Sequence, residues 1–130
     1  MAYITGTNRY QVEAQLLSLD EMIDPSNKVR VIDAYVNSLD LSDLCFKEYS
    51  SSAPGQKAYN QKDLLKLHIY GYINKIRSSR LLEKECNRNI EVMWLINNLI
   101  PDHVTIANFV KSNKDSFKKV LRNLVALLRE

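Results

Sequence analysis

Between residues 78 and 111 the chain reads S-S-R-L-L-E-K-E-C-N-R-N-I-E-V-M-W-L-I-N-N-L-I-P-D-H-V-T-I-A-N-F-V-K, and this stretch limits the fold more than any other. Two short runs with helical spacing meet across a polar turn, Asn87-Arg88-Asn89. Leu99-Ile100-Pro101 ends the second run, because proline cannot extend the helical hydrogen-bond ladder and disfavours helix in the residue before it. Asp102 follows at once, and its carboxylate can accept from the first free N–H groups of a new helix. The pattern predicts a trihelical unit whose third helix begins at His103 and runs to about Asn113. With three Gly and three Pro in 130 residues there is little material for a turn-rich β fold.

The rest of the chain extends the helical reading. Residues 1–26 hold no sustained period and are expected to be an irregular lead-in. Asp24-Pro25-Ser26 announces a helix from about Asn27, where Val29, Ile32, Tyr35 or Val36 and Leu39 recur at three- and four-residue spacing. Ser42 to Asn60 breaks the period, and S-S-S-A-P-G at 50–55 is a loop by composition. A helix over about 60–76 carries Leu65, Ile69, Tyr72, Ile73 and Ile76 on one face and Leu67 with Tyr70 on a second, so it is expected at the centre of the scaffold. Gly71 inside it costs about 1 kcal/mol relative to Ala, which suggests close approach by another helix. In the trihelical stretch Leu81, Leu82 and Cys86 should face inward, Trp94 should anchor the core, and Ile106, Ala107, Phe109 and Val110 should form the buried side of the third helix. A last helix displays Phe117, Val120, Leu121, Leu124, Leu127 and Leu128 as one apolar stripe. The expectation is an all-α fold: a single compact helical domain over 1–130, of about five to six helices, containing a helix-turn-helix-like unit.

Several function classes drop out. No apolar run approaches the roughly 18 residues of a membrane span, and no leader pattern opens the chain, so a cytoplasmic, non-membrane protein is expected. Cys45 and Cys86 are distant and belong to no C-x-x-C, which makes both reduced packing residues. There is no Gly-rich phosphate loop, no H-E-x-x-H and no G-x-S-x-G. Of the two histidines, His68 reads as a satisfied boundary residue and His103 as part of a helix start. No catalytic residue, metal site, cofactor or small-molecule substrate is expected in this chain.

Charge distribution points elsewhere. Residues 1–56 carry 4 Lys/Arg against 8 Asp/Glu, residues 57–88 carry 8 against 3, and residues 89–130 carry 6 against 4. The positive charge therefore collects beside the trihelical stretch, as an electrostatic footprint on phosphate requires. A helix can enter the major groove of duplex DNA while flanking basic groups hold the backbone. On that reading Thr105, Asn108, Lys111 and Ser112 are the candidate base contacts, since Asn can pair with adenine and Lys can donate to guanine. Arg77, Arg80, Lys84, Arg88 and Lys114 are the candidate phosphate contacts. The alternative is a helical module that dimerises or docks another domain through its last or central helix.

Tyr59, L-L-K-L-H-I-Y-G-Y at 64–72, S-S-R-L-L-E at 78–83, Cys86, N-I-E at 89–91, W-L at 94–95 and P-D-H-V-T-I-A-N-F at 101–109 together resemble the N-terminal domain of bacterial insertion-sequence transposases of the DDE type. The resemblance extends upstream through L-L-S-L-D-E-M-I and V-I-D-A-Y-V-N-S-L-D-L. It implies a domain that helps recognise the terminal inverted repeats of a mobile element. It also implies a separate RNase H-like domain, absent from these 130 residues, whose carboxylates hold two divalent metal ions. One departure stands out: the family commonly has Arg after the Phe of its T-I-x-x-F motif, where this chain has Val110.

Overall fold

Six helix starts are fixed by side chains that accept from the backbone, and these caps set the frame of the molecule. The computed structural model describes residues 3–5, 8–12, 16–44, 46 and 59–128. Cys45 and the loop read at 50–55 lie outside them. Seven helices are present among the described residues, and no strand: α1 (Leu19–Met22), α2 (Lys28–Asn37), α3 (Gln61–Ile73), α4 (Ser79–Arg88), α5 (Ile90–Leu95), α6 (His103–Ser112) and α7 (Lys114–Leu128). Ser18, Asn27, Asn60, Ser78, Asn89 and Asp102 are the N-caps of α1 to α6 in turn, each accepting from a backbone N–H of the first turn. Each cap is worth about 0.5–2 kcal/mol relative to Ala. The all-helical expectation therefore holds, with one or two more helices than the periodicity revealed.

The additional element lies in the stretch read as irregular. Ser18 and Glu21 form a reciprocal capping box around α1, which is a single turn. Its C-terminal end is held by Arg30 of α2, whose guanidinium donates to the carbonyls of Asp20, Ile23 and Asp24 and pairs with the Asp20 carboxylate at 2.9 Å. The same guanidinium lies 5.0 Å from the ring centroid of Trp94, and the indole N–H donates to Asp20. Trp94 is therefore a half-buried clamp between α1, α2 and α5, and not the core anchor its size suggested.

α3 is the centre, as expected. Leu64, Leu65, Leu67, Ile69 and Tyr70 are all buried, and α3 packs against α2, α5 and α6. Two details differ from the wheel plotted for an isolated helix. Tyr72 is exposed, and Lys66 is buried, its ammonium 2.7 Å from Asp33 of α2. The helix closes by a left-handed turn. Lys75 has φ 61°, the Ile76 N–H returns to the Gly71 carbonyl at 2.7 Å, and the Lys75 N–H to Tyr72 at 3.4 Å. Gly71 sits where this turn meets α4. A Cβ there would lie 2.8 Å from the Ile76 carbonyl oxygen and 3.0 Å from Leu82 Cδ2. The close approach inferred from Gly71 is real, and half of it comes from the chain's own reversal.

The core continues through Val92, Leu95 and Ile96 to Ile106 and Phe109 of α6 and Val120 and Leu124 of α7. Phe46 and His68 each stack on the Phe109 ring with centroids 5.8 Å apart, and Phe117 meets His68 edge-on. His68 Nε2 is 2.7 Å from the Ile106 carbonyl, so that nitrogen carries the proton and donates. Burial holds the imidazole below the usual histidine range, in keeping with a satisfied boundary residue. Tyr35 Oη donates to the Val120 carbonyl and ties α7 to α2. The far end of the α7 stripe leaves the core: Leu127 and Leu128 are exposed.

Candidate nucleic-acid interface

The three helices α4, α5 and α6 form a connected unit, with α4 packed against both of the others. Leu82 and Cys86 are the side chains that seat α4, whereas Leu81, expected inward, is exposed. Cys86 is a free, buried thiol, and burial pushes its pKa up to about 11, so it is a packing residue and not a nucleophile.

A single residue turns the chain from α4 into α5. Asn89 gives its backbone N–H to Glu85 O at 2.8 Å, closing α4, while its Oδ1 accepts from Glu91 N at 2.9 Å, opening α5. Its Nδ2 donates to Tyr70 Oη at 2.9 Å and to Glu85 Oε2 at 2.8 Å. Tyr70 in turn donates to Glu91 at 3.0 Å. Burial, with Glu91 and Glu85 nearby, pushes the Tyr70 phenol up to about 12. The hydrogen bond from Asn89, aided by Arg88, holds the Glu85 carboxyl below the usual range. Sequence reading placed a polar turn here but missed that Asn89 and Glu91 anchor the junction to Tyr70 of α3. The signal was Asn-Ile-Glu ahead of an apolar run.

The second turn is built differently. Asn97 and Asn98 both take left-handed backbone, φ 53° and 61°, which Asn tolerates better than most residues. Asn98 N–H returns to Met93 O at 2.9 Å, and Pro101 is buried before the Asp102 cap. Asp102 accepts from the Thr105 N–H at 3.2 Å and the Thr105 hydroxyl at 2.6 Å. That hydroxyl, with the Thr105 N–H, holds the Asp102 carboxyl below its usual range. His103 Nδ1 lies 3.1 Å from Glu83 Oε2, joining the first turn of α6 to α4.

These contacts fix which side of α6 faces outward. Ile106 and Phe109 are buried, and Val104, Ala107, Asn108 and Lys111 are exposed in one i, i+3, i+4, i+7 row. The buried face is thus narrower than the one plotted at 100° per residue, and Ala107 moves from the core to the surface. Val110 is half-buried, against the core as expected. Of the four base-contact candidates, Asn108 and Lys111 stand on the exposed row, while Thr105 and Ser112 sit on its flank. The Thr105 hydroxyl proton is already committed to the cap.

The basic candidates divide similarly. Arg77, Arg80, Lys84 and Lys114 are exposed. Arg80 stands three residues before Glu83, the residue that reaches α6, so it shares that face of α4 and borders the first turn of α6, whereas Lys84, one residue after Glu83, points to another side of α4. Arg88 is exposed but paired: its Nη2 is 2.6 Å from Glu85 Oε1. Lys118 and Arg122 were not among the candidates, but they extend a row that starts at Lys114. Lys114, Lys118 and Arg122, at i, i+4 and i+8, are all exposed along α7. Among the described residues no three His, Cys, Asp or Glu side chains gather as metal ligands, and no helix is long and apolar enough to cross a membrane.

Comparison with known proteins supplies one match. No curated protein and no solved structure matches the chain. Over residues 17–112, the span that includes α1 to α6, the sequence matches the family described as Transposase domain (DUF772), and the chain belongs to that family.

Proposed function

We propose that this domain binds duplex DNA and recognises the terminal inverted repeats of an insertion sequence, with α6 entering the major groove. The observation that carries the reading is the exposed row of α6. Val104, Ala107, Asn108 and Lys111 offer an amide, an ammonium and two small apolar side chains, with no carboxylate among them. Arg80 borders the same helix and Lys84 is exposed further round α4, and both would hold phosphates. Thr105 and Ser112 stay as flanking contacts, with Thr105 able to accept but not donate. Arg77 and Lys114 extend the phosphate contacts, and Arg88 would have to leave Glu85 to join them. The parent protein would be a DDE transposase whose metal-dependent strand chemistry resides in another domain. This chain would supply recognition and no catalysis.

The reading is tested by splitting the roles. Asn108→Ala is expected to lose about 1–3 kcal/mol of discrimination between the element's own end and random duplex, while Arg80→Ala weakens both alike. Equal losses from both variants on both duplexes would contradict the assignment.

A second reading has its own observation: the α7 stripe carries exposed Leu127 and Leu128 beyond the core. Self-association through α7 would cover them. Sedimentation then gives a concentration-dependent dimer that Leu127→Ser weakens, and a strict monomer at high concentration counts against it.

A further inference from the structure

Resting on the DNA-binding reading, we infer that Val104 and Ala107 form a methyl-reading patch that selects thymine beside the base contacted by Asn108. Val104 keeps 54 % of its surface exposed, although it stands on a helix that buries Ile106 and Phe109 fully. The fold thus leaves more than half of that apolar side chain in solvent. Ala107 is exposed too, where simple periodicity would have buried it. The two lie three residues apart on the outward row, and Asn108 and Lys111 continue it one turn further.

This order of chemistry fits one edge pattern of duplex DNA. The thymine C5-methyl is the only apolar group that a base pair presents in the major groove, and small side chains such as Ala meet it well. The side-chain amide of Asn108 matches the adenine edge, with N6 donating and N7 accepting. Neighbouring positions on one helix face reach neighbouring base pairs, so the row specifies an A·T-rich step: methyl contact from Val104 and Ala107, bidentate contact from Asn108. Lys111 closes the row at the α6 C-terminus, next to Lys114 at the start of α7. Exposed basic groups thus stand at both ends of the row, Arg80 near its first turn and Lys111 with Lys114 at its last, which favours DNA over a second copy of the chain as its occupant.

The experiment uses the full 130-residue chain and duplexes that it enriches from a random-sequence pool. Each thymine of the best duplex is replaced singly by uracil, which removes only the C5-methyl. At one or two adjacent positions, uracil should weaken binding roughly fourfold, the value of one buried methyl group. Val104→Ser with Ala107→Ser should bind the thymine and uracil duplexes equally. Both changes sit on the surface, so circular dichroism should show the helices unchanged. Uracil without effect at every position, or the same fourfold loss in the double variant, would overturn the methyl patch while leaving DNA binding intact. A dimer that the double variant abolishes, with its duplex binding unaltered, would overturn it in favour of a second copy. Failure to enrich any duplex would overturn both the patch and the DNA-binding reading beneath it.

Discussion

Removing Asp33 should damage this fold more than removing Lys66, although the two residues share one ion pair. The Lys66 side chain keeps 7 % of its surface exposed and the Asp33 side chain keeps 31 %, with Nζ and Oδ1 2.7 Å apart. In Asp33→Ala the ammonium loses its counter-charge where water scarcely reaches it. Breaking a buried pair in this way costs about 3–5 kcal/mol, and the flexible lysine stem lets the head move outward, so about 3 kcal/mol is expected. In Lys66→Met the apolar stem keeps its volume between α2 and α3, and the Asp33 carboxylate is open enough to rehydrate, so about 1 kcal/mol is expected. The double variant should resemble Lys66→Met, leaving a coupling of about 3 kcal/mol in the cycle. Urea unfolding of the four proteins, read as midpoint shifts at constant m, gives the cycle. Asp63 supplies an independent readout. Burial raises its carboxyl, the Lys66 charge lowers it again, and Asp33 raises it. A raised carboxyl means that the native state holds a proton the unfolded chain releases, so this residue's contribution falls as pH rises through that range. Without Lys66 the rise is larger, and the deficit of Lys66→Met should therefore be greatest at neutral pH and shrink toward acid. An Asp33→Ala cost no larger than that of Lys66→Met would refute the account of where the desolvation lies.

Gly71→Ala should destabilise the protein by about 1–2 kcal/mol, because the gain of about 1 kcal/mol in helix propensity is outweighed by forcing a methyl to 2.8 Å from a backbone carbonyl; thermal unfolding that leaves the variant as stable as the parent would contradict this. Tyr70 should keep its proton to about pH 12 while unfolded tyrosine releases it near pH 10. Its stabilisation is then complete below pH 10 and lost, to the extent of about 3 kcal/mol, as pH rises from 10 to 12. Tyr70→Phe should abolish that slope, and spectrophotometric titration showing Tyr70 ionising with exposed tyrosines would remove its basis.

The sequence carried the caps well, because each is a local event. Asn27, Asn60 and Asp102 could be read as helix starts from one short window, and all three accept the expected backbone N–H. α3 was legible as the centre because two apolar faces on one helix require neighbours on both. What the sequence hid depends on partners distant in the chain. Lys66 reads as a surface charge until Asp33, 33 positions earlier, is placed beside it. Trp94 reads as core until Asp20 and Arg30 are seen to hold it at the rim. α1 is one turn long and offers no period to detect. Ala107 and Leu81 were assigned inward from local spacing alone, and the packing of α4 against α6 leaves both exposed. That packing matters for the site, since it moved Thr105 and Ser112 off the outward row and left Asn108 and Lys111 on it.

Affinity for duplex DNA measured across a salt series tests the central claim most directly. If Arg77, Arg80, Lys84 and Lys114, joined by Arg88 when it leaves Glu85, supply about four to six phosphate contacts, log K against log salt should fall with a slope of roughly −4 to −5. Absence of duplex binding at low salt, or binding with a slope near zero, would contradict it.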